Sequence, residues 1–517
     1  MHRLLTYFLP LLLLNAVLPG HAQLLQTQRY ELEKKNNDDY FTVIPAGEHG
    51  VMIIRDIEKY EKGDVWQLIS LDTDLNEQFN TDLALDSKYI FKAFDVFGDK
   101  LYLLFREGEH EKKDYHLIEV HVTTGYIERY DIENELALEL SHILTFKERI
   151  LLGGYVNNSP TLVAYQFGSN SFDIVPGYFK DKSELADLTE NVHGTFNVVT
   201  LEDDYSGEYL KVRTMSYDGE ALFDSDIPLK EGLRVLDAKS SGFLHGNLVV
   251  SGTYSMTKTG QADGLYLAVV KPGGSNISYY NFIDFVHFFD YMKPKRAARI
   301  RENMEQRIAR GQDPNYSARM QIQDLSMTED GYLVVAEIFN PDFDRQNYTY
   351  NHPYSPYTSA GRFRTDAAQQ YARQPSRLQR VREASSFDYL QSIIFELDKN
   401  GRLLWDNSFP ITDTQLKSLE RVTHHVIDGE KIHMLYKTED ELQYQAIMKS
   451  DTLLRRTLPI MLKGADEEIV HTYGGAGKSE YWYGNVFLVW GYHKVDDRDD
   501  RGIKARNVLF INKLEVE

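Results

Sequence analysis

Side chains suited to recognition are densest between residues 291 and 386. Residues 291–319 hold eight lysines and arginines, Lys293, Lys295, Arg296, Arg299, Arg301, Arg307, Arg310 and Arg319, against three acids. Ala297, Ile300, Met304 and Ile308 recur there at helical spacing, Pro294 suits a first helical turn, and Gly311 and Pro314 end the run. This predicts an amphipathic helix with a narrow apolar edge and a basic back. The same features fit a helix packed on its own protein with solvated arginines, one presented to a partner protein, and one lying on lipid headgroups.

Residues 341–386 pass through Tyr348, Tyr350, His352, Tyr354, Tyr357, Arg362, Phe363 and Arg364, with Pro353 and Pro356 opposing helix and sheet. Tyrosine and arginine give rigid contact area at low entropic cost, and tyrosine faces also stack on sugars. The same tyrosines could instead cover apolar surface beneath them. The candidate partner-binding set is therefore Arg299, Arg307, Arg310, Tyr348, Tyr350, Tyr354, Tyr357, Arg362 and Arg364. Residues 291–385 contain fifteen basic and eleven acidic residues, a net of +4; the whole chain carries −21, so the rest carries −25. An acidic body repels phosphate backbones and argues against nucleic acid. A basic cap on it would orient an acidic partner, or hold the cap to its own body.

Catalytic signatures are missing. The chain has no Gly-x-Ser-x-Gly elbow, no phosphate-binding Gly-x-x-x-x-Gly-Lys-Ser/Thr and no dinucleotide fingerprint. His424, His425 and His433 lie close in sequence, and His424 and His433 are placed to face each other across an Asp428-Gly429 hairpin, where cross-strand packing is the simpler account than a metal. Asp72-Thr73-Asp74-Leu75-Asn76 lacks the glycine and distal glutamate of a calcium loop. Asp496, Asp497, Asp499 and Asp500 form a denser acidic run, half offset by Arg498 and Arg501. A glycosidase needs two carboxylates about 5–10 Å apart, and among 78 acidic residues sequence cannot choose a pair. Catalytic residues stay unassigned, and no metal or cofactor is implied.

These segments need a scaffold, and the chain supplies one by repetition. An apolar strand signal recurs at Val51, Leu101, Ile150, Phe196, Leu248, Tyr332, Ile432 and Val486. Removing the two polar insertions makes the spacing about 50 residues throughout. Each unit reads as two hairpins with tight turns such as Gly98-Asp99, Asp218-Gly219, Asp330-Gly331, Asn400-Gly401 and Asp428-Gly429. Four-stranded units at this period predict an all-β fold, a β-propeller of seven or eight blades, the segment 138–176 being too fragmentary to count with certainty. The last unit ends after its third strand, Val508 to Val516. Arg29 to Lys34 is the candidate for the missing fourth.

Strands alternate in direction. First-to-second and third-to-fourth turns therefore share one face, and second-to-third loops and blade connections share the other. All the tight glycine turns fall in the first group. Segments 107–114, 202–208, 255–264 and 494–507, and both insertions, fall in the second, where loops on a rigid scaffold carry function.

Met1 to Arg3 is a short basic start, Leu4 to Leu18 an apolar run, and Gly20-His21-Ala22 a signal-peptidase site with the cut before Gln23. The run is shorter than the ~20 residues of a membrane span. With no cysteine in 517 residues, an oxidised eukaryotic export product and a lipid-anchored one are both disfavoured. The expected organisation is a signal peptide over 1–22 and a single propeller over 23–517, with a helical insertion at 291–319 and a Tyr/Arg-rich one at 341–386.

Segments such as Phe395-Glu396-Leu397-Asp398-Lys399-Asn400-Gly401-Arg402-Leu403-Leu404-Trp405 resemble outer hairpins of exported bacterial propellers. That resemblance is generic and implies a fold and a compartment, not an activity. The expectation is an exported, disulfide-free protein, periplasmic, cell-surface or extracellular. It would act as a binding or scaffold protein of the bacterial cell envelope, contacting a protein partner through the face bearing the insertions, with no transmembrane segment in the mature chain. The alternative is an enzyme acting on a carbohydrate or peptide in the central funnel, whose ligand would be a glycan or peptide. Converging carboxylates or a histidine–carboxylate pair at the funnel would favour that alternative.

Overall fold

A computed structural model describes residues 24–34, 40–57, 65–85, 88–108, 113–146, 148–157, 159–175, 183–191, 194–205, 207–242, 247–257, 260–342, 384–417, 419–473, 477–497 and 505–517. Eight antiparallel four-stranded blades form a ring, a β-propeller. Blades 1 to 7 span residues 40–84, 89–132, 139–174, 184–228, 234–281, 320–410 and 424–459, and blade 8 combines 467–516 with the N-terminal strand. The segment 138–176 is a full blade whose fourth strand, Ser171–Ile174, has only four residues, which is why its sequence signal is weak.

The recurring apolar signal marks the second strand of every blade, from Val51–Ile57 in blade 1 to Val486–Asp497 in blade 8. These strands are covered on both faces by neighbouring blades, and Leu248–Ser255 of blade 5 is buried along its whole length. Burial on two faces removes the polar alternation of a half-exposed strand. The apolar core is accordingly divided among the blade interfaces. One cluster joins blades 1 and 2 through Trp66, Phe91 and Phe105, and the largest joins blades 5 and 6.

Turn chemistry sets the registers. In blade 6 the third-to-fourth turn places Gly401 at φ +84°, a left-handed conformation that glycine adopts without strain. The segment 202–208 is not a long loop: Thr195–Asp204 and Gly207–Ser216 stay paired out to Asp204 and Gly207. Its polar residues cap an extended ladder.

Ring closure uses the N-terminal strand. Leu24–Glu33 runs antiparallel to Arg506–Val516, from Leu24 opposite Val516 to Glu33 opposite Val508, as the outermost strand of blade 8. A buried ionic chain fixes it: Arg29 Nε lies 2.7 Å from Glu31, and Arg506 bridges Glu31 and Glu467.

The inner strands carry a repeated irregularity. A β-bulge precedes Ala93, His142, Asp187, Asp324 and His471 in blades 2, 3, 4, 6 and 8. In blade 5 the inner strand is broken between Val235 and Lys239. A bulge re-aims the side chain that follows it, here beside the ring axis.

One α-helix occurs among the described residues, α1 (Pro294–Ala309), in the connection from blade 5 to blade 6. Residues 343–383 interrupt blade 6 between its second strand, Gly331–Asp342, and its third, Ser386–Asp398. Strand alternation sends both excursions out of the same face.

Candidate functional site

Two regions concentrate functional side chains: helix α1 on the decorated face, and the inner strands of blades 4 to 7.

Helix α1 is held by its apolar edge. Met304 is buried, and Ala297 and Ile300 pack beside it on the core of blades 5 and 6, with Phe282, Phe285, Phe288 and Phe289 of the preceding connection. Ile308 leaves this seam and is 46% exposed. Asp406 of blade 6 anchors the connection by accepting the Val286 and His287 backbone N–H groups at 3.0 and 2.7 Å. Arg301 clamps the helix to it. Its Nη2 donates to the Phe285 and Val286 carbonyls at 2.7 and 2.6 Å, and its guanidinium lies 4.9 Å from the Phe289 ring centre.

Of the residues singled out in the sequence, Arg299 and Arg310 are exposed on this helix and at its end. Arg307 is half-buried, and its Nε donates to the Asp313 carbonyl at 2.7 Å. Tyr348, Tyr350, Tyr354, Tyr357, Arg362 and Arg364 lie outside the described residues. So do Asp499 and Asp500.

Of the second region, the sequence singled out only the histidines of blade 7. Asp187, Lys239, Asp324 and His424 occupy one register position, three residues along the second-strand signal, opposite Val199, Ser251, Val335 and Leu435. Asp187 is fully buried; its Oδ2 accepts the Ser240 N–H and hydroxyl, both at 2.7 Å, tying blade 4 to blade 5. Asp237, in the break of blade 5, accepts the Thr253 N–H at 2.6 Å and the Ile322 N–H of blade 6 at 3.2 Å. Glu337, on the second strand of blade 6 and fully buried, accepts the Thr423 N–H at 2.7 Å and the Val422 N–H at 3.1 Å.

Arg421, in the connection from blade 6 to blade 7, joins these groups. Its Nη1 lies 3.2 Å from Asp324 and its Nη2 donates to His425 Nδ1 at 2.9 Å. His425 is 3.9 Å from Asp324, too far for a hydrogen bond. Lys239 Nζ donates to the Gln323 carbonyl at 2.8 Å. Asp324 and Arg421 keep 31% and 23% of their side-chain surface open. Groups set this deep in the ring yet reachable by solvent line the axial opening.

The electrostatics follow from depth. Burial pushes the His425 imidazolium down to about 4, reinforced by Arg421 and opposed by Asp324, so the ring is neutral at ordinary pH. Because Nδ1 accepts from Arg421, the proton sits on Nε2. Burial pushes the Glu337 carboxyl up to about 7 against its backbone donors. Burial raises the Asp324 carboxyl, but Arg421, His425 and Lys239 outweigh it and leave it below its ordinary value. Burial lowers the Lys239 ammonium despite Asp324 and Asp187. Asp324 and Arg421 are the members of this wall that keep open side-chain surface, while Asp187 and Glu337 are fully buried against their hydrogen-bond donors.

The hairpin of blade 7 departs from expectation. The turn closes at Asp428–Lys431, so His424 faces Leu435 and His433 faces Val426. The two histidines are diagonal, because the turn is centred one residue later than Asp428-Gly429. His433 Nδ1 lies 2.7 Å from the Tyr444 hydroxyl. Asp72 caps its own turn, accepting the Asp74 and Asn76 N–H groups at 2.9 and 2.8 Å, as aspartate does in such turns. Among the described residues no three His, Asp or Glu side chains converge as a metal site, and no helix is long and apolar enough to cross a membrane.

No protein-family model and no curated protein matches the chain. Similar solved structures include the polysaccharide lyase Uly1, 8% identical over 82% of this chain and 90% of that one, TM-score 0.38. The β-propeller domain of the Trilobed protease from Pyrococcus furiosus is 8% identical over 81% and 98%, TM-score 0.34. The Nup133 β-propeller domain of Vanderwaltozyma polyspora is 10% identical over 82% and 100%, TM-score 0.35. At this level of likeness no activity is carried over, since one architecture hosts unrelated functions.

Proposed function

We propose that this propeller is an exported binding or scaffold protein of the bacterial cell envelope, which receives a protein partner on its decorated face. The observation that carries this reading is topological. The two longest excursions from the ring leave the same face at adjacent positions, the blade 5–6 connection and the second-to-third junction of blade 6. Helix α1 is fixed there by core packing and Arg301, so binding need not order its backbone.

A photo-crosslinking residue at Arg299 on this face, and another at Lys399 on the opposite face, test the proposal in envelope fractions. An adduct with one protein from position 299 and none from 399 is expected. Equal adducts at both positions, or none at 299, reject it.

A second reading rests on the axial wall. Asp324, Arg421, His425 and Glu337 converge there, which favours a carbohydrate- or peptide-active site in the funnel. Product formation from polysaccharide or peptide mixtures that is abolished by His425→Ala, with folding intact, would replace the first reading by the second.

A further inference from the structure

On the side of α1 opposite its buried edge, Lys295, Arg299, Asn303, Gln306 and Arg310 follow one another at intervals of four, four, three and four residues, and all five are exposed. At 100° per residue these positions lie within about 80° of one another. Ala297, Ile300 and Met304 lie on the far side, in the core. Glu302 flanks the stripe about 20° beyond Lys295, and Glu305 lies about 80° beyond it; the stripe itself contains no acid. Among the described residues Lys295, Arg299 and Arg310 make no ion pair. Gln306 donates its amide nitrogen to Glu302 at 3.3 Å, leaving its oxygen free to accept.

The charge placement does not serve the helix itself. Its first turn has no acid and no side-chain cap, although the helix dipole favours negative charge at that end. Lys295 therefore sits where it costs stability.

We infer that this stripe is a docking rail for an extended acidic segment of a partner protein. The inference rests on the reading that the decorated face receives a protein. Lys295 and Arg299 are separated by about 6 Å of helix rise, and Lys295 and Arg310 by about 22 Å. Alternate side chains of an extended chain repeat every ~6.6 Å on one side. An acidic residue at every second position therefore matches the Lys295–Arg299 step, and about seven residues reach Arg310. Asn303 and Gln306, between the cations, offer amide donors and acceptors to the backbone of the segment. The −21 charge of the whole chain repels an acidic segment elsewhere, so the rail supplies location as well as attraction.

The test uses the full-length protein and a fluorescent nonapeptide alternating glutamate and serine. A second peptide of the same composition has its glutamates in one block. Binding is read by anisotropy at two salt concentrations. The alternating peptide should bind more tightly than the blocked one, and more weakly in high salt. The variant K295E/R299E/R310E should lose binding by about 30-fold or more, while K271E/K399E/K449E, with the same net charge change on other surfaces, should stay within about threefold. Circular dichroism verifies that both variants are folded.

Equal affinity for the two peptides, equal losses in the two variants, or binding only to phosphatidylserine vesicles would each overturn the inference. If position 299 still crosslinks one envelope protein in that case, the face is a binding surface and only the nature of its partner segment has been misjudged.

Discussion

Helix α1 and the axial wall both gather charged side chains, and they treat them in opposite ways. On α1, Lys295, Arg299 and Arg310 are exposed along a short stretch of chain, and core contacts together with Arg301 fix the helix without using them. On the axis, Asp187, Lys239, Asp324 and Arg421 come from four successive parts of the ring and hold one another and the blades together. The difference separates two kinds of charge: removable charge that serves something outside the protein, and charge that the fold itself requires.

The sharpest way to break this contrast is Arg421→Ala. It strips Asp324 and Glu337 of their nearest guanidinium in a deep site, and removing one partner of such a network costs about 3–5 kcal/mol. Chemical denaturation should show that loss. A change under about 1 kcal/mol would mean that water already solvates the wall.

Next in size is the pH response of Glu337. Its carboxyl is pushed up to about 7 in the folded ring, from an ordinary value of 4.5. Between those values the folded protein keeps a proton that the unfolded chain has released. Stability from this group is therefore full below pH 4.5, falls as pH rises to 7 by about 3 kcal/mol, and is flat above. Glu337→Gln should flatten that segment of the stability–pH curve. An unchanged slope in the variant would assign the titration to another group.

Arg301→Ala sharpens the contrast within α1. Arg301 grips the segment of the connection that precedes the helix, so its loss should cost about 1–2 kcal/mol and open the helix to protease before the blades melt. Simultaneous loss of helix and blades would make α1 part of the ring's cooperative unit.

The smallest effect belongs to the stripe. Charge reversal at Lys295, Arg299 and Arg310 should change stability by no more than about 0.5 kcal/mol. Lys295→Glu alone should raise it by a few tenths, because a carboxylate suits the first helical turn. A large destabilisation would place these cations among the structural charges.

Much of the architecture was readable because it depends on local pattern. Pro294 opens the helix, and Ala297, Ile300 and Met304 seat it, as their spacing implied. Ile308 does not, because it lies one turn beyond the contact with blades 5 and 6. Arg29 to Glu33 lie within the closing strand that the unfinished last blade calls for; the strand begins five residues earlier, at Leu24, and ends one before Lys34. Arg307 stands with Arg299 among the candidate contacts and Arg301 only among the basic residues of the insertion, and only the chain folding back as 282–293 and 311–314 gave both of them backbone carbonyls to bind.

The axial wall left no local trace. Asp187, Lys239, Asp324 and Arg421 stand 52, 85 and 97 residues apart, each an ordinary polar residue in a strand or connection. The available signal was register: aligning the eight apolar repeats puts Asp187, Lys239, Asp324 and His424 at one level.

By itself the sequence determined the repeat, the strand order within each blade, the face from which each insertion departs, and the two sides of α1. Those follow from backbone hydrogen bonding, side-chain periodicity and turn chemistry, which act over a few residues. Tertiary structure alone decided how many blades close the ring, which arginines are tied to backbone carbonyls, and which polar residues meet at the axis. Those outcomes depend on distances between segments that only packing brings together, and on the loss of water around groups such as Glu337 and His425 once eight blades surround them.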